Sequence, residues 1–535
     1  MKYFRITVGL AEIAMAVFAC DSLSNPAKAE RPAANIAPSI AALQSFAVPL
    51  SAASLSVAGY NAGSFRGGGQ FVWDAASITA PNSCTIFQII DNPVGRWIRK
   101  LKGPLDVSMC GAKQDGASDD TVPIQTALNL APNYGGTVTV NHQTACAIVT
   151  NVLQIGSNTK FMGIGYPCIR FTDAAKNGEI IIAGSNVAIT GLSVTSGGAI
   201  GIQLGCKTAN CSNISIKDNT YYRPSKAGPI IALNDAGATW KNISITKNVL
   251  IGGSYGILAN TAQHGSGLFI TKNFVGGVDA DAIELNTISN HWTDSKITDN
   301  VLDSSDAKTP PAAGFGVGIA RGLRVAVSGN IILGSAHHGI HVEDGSSDVV
   351  ITDNIIEKIA NGRNGIDILQ NTPTPVRNIT VTGNTLRANV PGTGIGIVSN
   401  FTSSGIPSNV VVSDNVIEDF GAGIWTVGSD PVFNNKIFSS QNHYTGIFVI
   451  QQATRAIHDN SIISTAAKCV GCVPVFARGG GQWGPITING PADSEYFALK
   501  KSRTAVAGRV AFYLQYFCGR KLMLTPKMTA RCKLR

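Results

Sequence analysis

The phrases VVITDNI (residues 349–355) and ITVTGNT (379–385) belong to a set of short phrases that recur along most of the chain. The other copies are ISIKDNT (214–220), ISITKNV (243–249), LFITKNF (268–274), SKITDNV (295–301) and VVVSDNV (410–416). Within each phrase apolar and polar residues alternate with a period of two, and many residues are β-branched, which is typical of a half-buried strand. An internal repeat of this length indicates a solenoid.

Each phrase closes on an asparagine, and successive asparagines are 20 to 31 residues apart, so that one repeat makes one coil. The asparagines are Asn219, Asn248, Asn273, Asn300, Asn330, Asn354, Asn384, Asn415, Asn435 and Asn460. Stacked coils pair each strand with its copy in the next coil about 4.8 Å away. We therefore predict a hydrogen-bonded ladder of asparagine side chains at a bend.

A second short strand follows each asparagine, usually with a glycine before its isoleucine. Its copies are GIQL (201–204), GILA (256–259), AIEL (282–285), GIHV (339–342), GIDI (365–368), GIWT (423–426) and GIFV (446–449). Each coil thus carries at least two strands separated by bends, with isoleucine and valine columns inside. The sequence predicts an all-β chain, folded as a single-stranded parallel β-helix.

The stretch CGAKQDGASDDTVPIQTAL (110–128) is the most specific motif in the chain. By its residues, Asp119, Asp120 or Thr121 caps a short helix whose apolar face covers the open end of the first coil. The stretch resembles the motif GAxxDGxxDDTxxIQxAL that opens the solenoid in the pectate-lyase-like superfamily, which includes rhamnogalacturonase-like and epimerase-like proteins. This resemblance implies a right-handed parallel β-helix with a short N-terminal capping helix. We expect Asp115, Asp119 and Asp120 to form caps and turns rather than to act in catalysis.

These features divide the chain into four predicted segments. They are a signal peptide (1–29), a linker with a small segment ahead of the solenoid (30–103), the β-helix (104–465), and a C-terminal cap with a basic tail (466–535).

The N-terminus predicts export to the periplasm or the extracellular space. Lys2 and Arg5 precede an apolar run, and Ala27-Lys28-Ala29 suits cleavage after Ala29. In the alternative interpretation, the protein is a lipoprotein acylated at Cys20.

Cleavage after Ala29 leaves ten of the 11 cysteines in a compartment where disulfides persist. We predict two local pairs, Cys206 with Cys211 and Cys469 with Cys472.

The net charge of +9 comes from one end of the chain. Ten of the 42 Lys and Arg residues lie in 500–535, where no acidic residue occurs, so the rest of the chain is nearly neutral. The repeats carry no basic stripe with interleaved aromatic residues, which argues against nucleic-acid binding. The apolar patch at 510–517 is too short to span a membrane.

Aligning the coils on the isoleucine of the second strand gives an outward column along one face. Its members are Gln203, Ala232, Leu258, Glu284, Ala320, His341, Asp367, Gly396, Trp425 and Phe448. A parallel column two residues on includes Gly205, Asn260, Asn286, Gly322, Glu343, Leu369 and Val398. Alternation predicts that the ionisable side chains of these columns lie in solvent.

The middle coils carry the residues that favour an enzyme. His341 and Asp367 fall on adjacent coils, so that the carboxylate can orient the imidazole as a base for the C5 proton of a uronic acid. Arg321 lies one coil away and can neutralise the sugar carboxylate, and His338 is nearby. This set favours a polysaccharide lyase or epimerase acting on an acidic polysaccharide.

An inverting glycoside hydrolase is the alternative enzyme. The phrases DADAIELN (279–286) and HHGIHV (337–342) resemble the DD and GHG segments of polygalacturonases, although the NTDG and RIK segments of that family are absent. Inversion needs two carboxyl groups about 6.5–9.5 Å apart. Glu284 and Asp367 are three coils or about 14 Å apart, whereas Glu343 and Asp367 fit the spacing.

Further residues are predicted to bind ligands along the same face. Asn260, Asn286 and Trp425 are candidates for sugar binding. Asp279 and Asp281, together with Glu284, are a candidate Ca²⁺ site, because this ion prefers clustered carboxylate oxygens.

Two alternatives from other classes remain open. One is a non-catalytic glycan-binding or adhesion protein, and the other is a tailspike-like trimer. The sequence leaves open whether the protein is a monomer or a trimer.

Overall fold

The computed structural model describes the chain from Ile36 to Leu522 with gaps. The described residues are 36–49, 53–172, 178–197, 200–206, 210–233, 239–260, 264–287, 292–308, 313–400, 402, 404–427, 430–449, 453–466, 472–477, 481–483, 486–489, 514–518 and 520–522.

The chain winds through three long, almost wholly parallel sheets, which every complete coil visits in the order sheet 1, sheet 2, sheet 3. The strands of sheet 1 are Leu105–Asp106, Thr137–Asn141, Lys160–Ile164, Val187–Thr190, Cys211–Lys217, Trp240–Thr246, Gly265–Thr271, Trp292–Thr298, Gly322–Ser328, Ser347–Thr352, Arg377–Thr382, Ser408–Ser413, Val432–Phe433, Ala453–His458 and Gly481–Trp483. The strands of sheet 2 are Ala147–Val149, Cys168–Phe171, Ser193–Thr195, Thr220–Arg223, Val249–Gly252, Phe274–Gly276, Val301–Ser304, Ile331–Ser335, Ile355–Ile359, Thr385–Ala388, Val416–Glu418, Lys436–Ser439, Asn460–Ser464, Ile486–Asn489, Leu514–Cys518 and Arg520–Leu522, of which the last pairs antiparallel. The strands of sheet 3 are Leu153–Ile155, Ile180–Ile182, Ile202–Leu204, Ile231–Ala232, Ile257–Ala259, Ile283–Asn286, Val317–Ala320, Ile340–Glu343, Ile366–Leu369, Thr393–Asn400, Phe420–Thr426, Thr445–Val449 and Val473–Ala477.

The predicted parallel β-helix is therefore confirmed, with three strands per coil. Its interior is one continuous apolar core of inward-facing Ile, Val and Leu side chains. Each coil buries little by itself, and stacking buries the apolar columns together.

The predicted asparagine ladder is also confirmed, at the bend between sheets 1 and 2. From Asn219 to Asn435, each Nδ2 donates a hydrogen bond of 2.9–3.1 Å to Oδ1 of the next asparagine. All ten side chains are buried. The residue before each asparagine is in the left-handed region, as at Lys272 (φ 57°) and Gly329 (φ 65°), which turns the chain into the next sheet.

The opening motif forms the predicted helix, Thr121–Leu130, which buries Ile124, Ala127 and Leu128 against the first coil. A 3₁₀ turn precedes it at Val107–Cys110, and another follows it at Ala131–Tyr134.

The acidic residues of the motif organise turns, as predicted. Asp120 accepts hydrogen bonds from the backbone N–H groups of Lys113 and Gln114, and Asp119 accepts one from that of Thr121. Asp115 accepts from two backbone N–H groups of its own turn. Their oxygens are thus engaged at the start of the solenoid.

A separate five-stranded sheet precedes the solenoid. Its strands, in spatial order, are Ile36–Ala37, Ser54–Gly59, Gly67–Asp74, Arg96–Arg99 and Ile86–Phe87, and the short helix Ile40–Gln44 packs on them. Arg99 joins this sheet to the solenoid, because its Nη2 donates to the carbonyls of Gly67 and of Met109.

Three disulfides lie in the described residues: Cys84–Cys110, Cys146–Cys168 and the predicted Cys206–Cys211. The predicted signal peptide, Cys20 and Cys469 lie outside the described residues, as does most of the basic tail. None of the helices in the described ranges is long and apolar enough to cross a membrane.

Candidate functional site

The strand register of sheet 3 corrects the predicted columns. Glu284, Gly318, His341, Asp367, Val398, Trp425 and Phe448 are the successive register partners of the first column. Gly318 therefore takes the place predicted for Ala320, and Val398 that predicted for Gly396. In the second column, Ala320 takes the place predicted for Gly322, between Asn286 and Glu343. Asn400 takes the place predicted for Val398, next to Leu369.

Six ionisable side chains gather at the middle of sheet 3, and we call them the sheet 3 cluster. They are Asp281, Glu284, His338, His341, Glu343 and Asp367. They come from three coils. The coil that carries Gly318 lies between the coil of Asp281 and Glu284 and the coils of the other four residues.

His341 lies between two carboxylates. Its Nε2 is 3.1 Å from Oε2 of Glu343, and its Nδ1 is 3.4 Å from Oδ2 of Asp367. Glu343 also accepts a hydrogen bond of 2.7 Å from Nδ2 of Asn371. The arrangement provides a negative partner for each ring nitrogen, which favours the imidazolium form.

His338 shares the Asp367 carboxylate. Its Nε2 is 3.1 Å from Oδ2 of Asp367, and its Nδ1 accepts a hydrogen bond of 2.9 Å from the backbone N–H of Asn364. Since Nδ1 accepts, the proton of the neutral ring resides on Nε2 and faces Asp367.

The predicted solvent exposure of this column is wrong for His341 and Asp367, which are only 5% and 3% exposed. Phe315 covers His341 from the bend before the strand Val317–Ala320. Its ring stacks on His341, with centroids 4.6 Å apart and planes 17° apart, and lies parallel to His338 at 5.8 Å. Side chains along the strands do alternate between inward and outward, but Phe315, which comes from an irregular bend, shields the outward-facing His341 from solvent.

Asp281 holds that bend in place, because its Oδ1 accepts hydrogen bonds from the backbone N–H groups of Gly314 (2.6 Å) and Phe315 (2.7 Å). Glu284 is half-buried and accepts one of 2.7 Å from Nδ2 of Asn286. Between Glu284 and His341 stands Gly318, where a Cβ would lie 3.6 Å from both the Asp281 and the Glu284 side chains. A side chain at this position would therefore lie in contact with both acids.

The environment drives the pKa values of the two histidines apart. Burial alone would lower the pKa of His341, but Asp367 and Glu343 outweigh it and raise that pKa to about 10. Burial lowers the pKa of His338 to about 3. Near neutral pH the cluster therefore holds one imidazolium and one neutral imidazole.

The carboxyl groups divide in the same way. Burial raises the pKa of Asp281 to about 7 and also raises that of Glu284. Burial acts to raise the pKa values of Glu343 and Asp367, but the hydrogen bonds and positive charge of their neighbours, His341 foremost, together outweigh it and lower both pKa values. The cluster thus joins two carboxyl groups whose pKa values are raised to two whose pKa values are lowered.

Other predicted residues lie around the cluster. Arg321 donates from Nη1 to the carbonyl of Thr287 at 2.5 Å, and Asp279 accepts from the backbone N–H of Lys308 at 3.1 Å. Asn260 is exposed just after the strand Ile257–Ala259. Trp425 lies two coils beyond Asp367, and its ring packs on Phe448 with centroids 4.5 Å apart.

Several residues that neighbour the cluster were not predicted from the sequence. They are Phe315, Gly318, Asn364, Asn371 and Tyr255, whose pKa is raised by burial and by Glu284 and Asp281. Only Gly318 had a sequence signal, since its place follows once the register is known. The others stand in bends, where no period predicts their position.

His338, His341 and Asp367 are also spaced like metal ligands, with one ligand atom from each within 4.8 Å of the others. A metal at Nε2 of His338 would displace the proton that the hydrogen bond from Asn364 places there. The observed contacts therefore fit a hydrogen-bonded charge network better than a metal centre.

The fold and the sheet 3 cluster define the class of protein. This is a right-handed parallel β-helix protein with a candidate site on one sheet. Residues 230–406 match the family model described as right handed beta helix region, which confirms the predicted fold. Residues 36–102 match the one described as phage tail protein small four-stranded beta-sheet domain.

The solved structures that are similar to this chain include the following three. The A-module of mannuronan C-5 epimerase AlgE6 of Azotobacter vinelandii is 18% identical, with a TM-score of 0.36, over 76% of this chain and 98% of that one. The tailspike of Acinetobacter baumannii phage AM24 is 15% identical, with a TM-score of 0.48, over 76% and 65%. PfbA, a surface adhesin of Streptococcus pneumoniae, is 13% identical, with a TM-score of 0.46, over 70% and 91%. No curated protein matches the chain.

Proposed function

We propose that the sheet 3 cluster is the active site of a polysaccharide-acting enzyme, and that it hydrolyses a glycosidic bond with Glu284 as general acid and Glu343 as general base. The observation that supports this most is the opposite pKa shift of the two residues, since such pairs mark acid and base assignments.

The two glutamates lie on one sheet, at a spacing along the solenoid axis just above that of inverting hydrolases. They are two coil repeats apart, which is about 10 Å along the solenoid axis. Glu284 contacts Asn286 in the second column, and Glu343 contacts His341 in the first, so that each side chain bends along its own strand toward the column of the other. Inverting hydrolases place their carboxyl groups roughly 6.5–9.5 Å apart, with a water between them.

His341 has a different role here from the base expected from the sequence. Its raised pKa keeps it protonated, and a protonated ring accepts no proton. We assign it as the cation that keeps Glu343 ionised. Asn371, which donates to the same carboxylate, orients it.

Elimination or epimerisation at a uronic acid is the second candidate, and Asp281 is the observation in its favour. Its pKa of about 7 suits a base that exchanges a proton near neutral pH. The imidazolium of His341 would then stabilise the charge that develops on the sugar carboxylate.

We further propose that the protein works outside the cytoplasm, since three disulfides form within the described residues. The Ca²⁺ site predicted at Asp279 and Asp281 remains a proposal. Both carboxylates accept backbone hydrogen bonds, so a bound ion would use their remaining oxygens. Assays with Ca²⁺ and with EDTA test it.

Proton NMR of the first products separates these reactions. Hydrolysis with inversion gives a new reducing end of the opposite anomeric configuration. Elimination gives an unsaturated sugar at the new non-reducing end, and epimerisation changes the C5 signals without cleavage. Unchanged spectra across pectic, alginate and bacterial capsular polysaccharides would leave the protein a glycan-binding module and end the proposal.

A further inference from the structure

We infer that two copies of the protein associate through the outer face of sheet 2, with their solenoids antiparallel. The contact consists of an apolar stripe and of opposite charges that border it. Sheet 2 is a different face from the one that carries the sheet 3 cluster, so this inference does not depend on the proposed function.

The apolar stripe follows the first residue of successive sheet 2 strands. Strand register aligns these residues in one outward column over five coils. They are Val249, Phe274, Val301, Ile331 and Ile355. All except Val301 are more than one third exposed, and Val301 is partly exposed. A contiguous apolar column of this kind on an outer face marks a contact surface.

A bulge widens the stripe near its middle. The register between the strands Val301–Ser304 and Ile331–Ser335 shifts after Leu302, so that Asp303 pairs with Gly334. Leu333 has no register partner in this pair of strands and is 36% exposed, two residues beyond Ile331. Bulges re-aim side chains in this way, and here the result is additional apolar surface.

Charged residues border the stripe on the side of sheet 1. Two positions before each stripe residue, the chain turns from sheet 1 into sheet 2 through a residue in the left-handed region. In stripe order these residues are Lys247, Lys272, Asp299, Gly329 and Asp353. Their four charged side chains are exposed, and none forms an ion pair with another described residue. The border is therefore basic over the first two coils and acidic over the later ones.

Antiparallel packing brings opposite charges together. A twofold axis that crosses sheet 2 midway between Val301 and Ile331 lays the stripe of one copy on that of the other. Lys272 then faces the partner's Asp353, and by symmetry Asp353 faces the partner's Lys272. Asp299 faces the partner's Gly329. The dimer thus contains two facing pairs of opposite charge, and no like charges meet along this border.

Parallel packing lacks this complementarity. When both solenoids point the same way, the border of one copy faces the second outward column of sheet 2 in the other, at the same coil. Asp299 would then face the partner's Asp303, and Lys272 would face the partner's Gly276, because Gly276 and Asp303 lie two positions beyond the stripe in their coils. Like charges that face each other oppose association. The charge pattern therefore favours the antiparallel dimer.

The area of the face suits a weak dimer. Around the same axis eight coils of sheet 2 face each other, from the strand Thr220–Arg223 to the strand Val416–Glu418. At about 4.8 Å per coil this face is about 38 Å long, and one short strand makes it about 12 Å wide. Two copies then bury roughly 1,000 Å², near the lower limit of specific interfaces. We therefore expect an equilibrium between monomer and dimer that depends on concentration.

Sedimentation velocity at several protein concentrations tests the inference. The wild type should shift from monomer to dimer as the concentration rises. Lys272→Glu and Asp353→Lys should each weaken dimerisation about tenfold or more, because both facing pairs become pairs of like charge. The double variant should restore it. Lysine suits position 353, where φ is 56°, because Lys247 has the same φ.

Lys241→Glu is the matched control. Lys241 lies on the outer face of sheet 1, in the same coil as Val249, and is exposed. This charge reversal lies away from the stripe and its border, so the variant should dimerise like the wild type.

Disulfide trapping tests the orientation. A mixture of Phe274→Cys and Ile355→Cys should form a cross-linked dimer under mild oxidation, because these positions face each other in the antiparallel arrangement. Phe274→Cys alone should not, since its two copies lie three coils, about 14 Å, apart, which is beyond the Cα separation that a disulfide spans.

A wild type that stays monomeric at every concentration would overturn the inference, as would a trimer or efficient cross-linking of Phe274→Cys with itself. A dimer that neither Lys272→Glu nor Asp353→Lys weakens would have the same consequence. So would a double variant that is folded by circular dichroism and yet fails to recover the dimer.

Discussion

His341 and Asp367 are register partners on neighbouring coils of sheet 3, and Nδ1 of the histidine lies 3.4 Å from Oδ2 of the aspartate. Stacking of coils thus brings together two residues that are 26 positions apart in the sequence. Glu343 on the opposite side of the ring completes a row of carboxylate, imidazolium and carboxylate. The consequences of this row can be measured in both stability and activity.

The first prediction concerns stability against pH. The pKa of His341 is raised from 6.5 to about 10 on folding, so its stabilising contribution is complete below pH 6.5 and is lost as the pH rises through about 10. Urea unfolding across this range should show a falling free energy of unfolding. In Glu343→Gln one partner is gone and the folded-state pKa of His341 is lower, so the fall should be smaller and should end at a lower pH. A free energy that stays level up to pH 10, or identical curves for the two proteins, would contradict the charge assigned to His341.

The second prediction concerns the cover over the histidines. Phe315→Ala admits water to the row, which screens the ion pairs and should bring the pKa of His341 down from about 10 toward its ordinary value. Phe315→Leu keeps an apolar cover and should retain most of the shift. Titration of the ring nitrogens by NMR measures both. An unshifted pKa in Phe315→Ala would show that the ring does not exclude water from the site.

The third prediction concerns the space at Gly318. An alanine Cβ meets Phe315 at 3.3 Å and other side chains at 3.6 Å, so Gly318→Ala should fold and keep most of its activity. Gly318→Leu presses a larger side chain against Phe315 and Glu284 and should lower kcat about 100-fold, the scale of a misplaced reacting group. Measurement of both kcat and thermal stability separates a loss of activity from a loss of folding. Full activity in a folded Gly318→Leu variant would place the substrate elsewhere.

The fourth prediction concerns the asparagine ladder. Asn330 is fully buried and donates to the carbonyl of Ile297 and to Asn354, while it accepts from Asn300. Asn330→Ala should cost about 3 kcal/mol or more of unfolding free energy, since it leaves buried partners unpaired. Asn378→Gly is the control. This asparagine is exposed with φ 55°, which glycine tolerates, so the loss should stay below about 1 kcal/mol. Equal losses of unfolding free energy in the two variants would show that a ladder asparagine stabilises the protein no more than an exposed one.

The repeats allowed the fold to be predicted, because a strand phrase closed by asparagine is repeated in nearly every coil. The register of sheet 3 was harder. In GVGIA (316–320) and GIGIV (394–398) either of two apolar residues can face inward. A slip of two residues preserves the inward pattern, although a slip of one would reverse it. Ala320 and Gly396 were therefore predicted at the first-column positions that Gly318 and Val398 occupy in the structure.

The candidate site was predicted only in part for a related reason. His341, Glu343 and Asp367 belong to regular strands, so their proximity follows from the coil spacing. Phe315 and Asn364 belong to bends, whose paths are set by hydrogen bonds between coils. Period-two patterns describe strands alone, and the burial of the histidines depends on those bends.

Release of reducing ends tests the central claim most directly, with the protein incubated with pectic, alginate and capsular polysaccharides. The wild type should generate reducing ends without the ultraviolet absorbance of unsaturated sugars. Glu284→Gln and Glu343→Gln should each lower the rate by roughly 10²–10⁴-fold, the contribution of a general acid or base. Glu357→Gln, a solvent-facing glutamate of sheet 2 paired with Arg387, should retain the full rate. Unimpaired hydrolysis by Glu284→Gln, or unsaturated products from the wild type, would contradict the account.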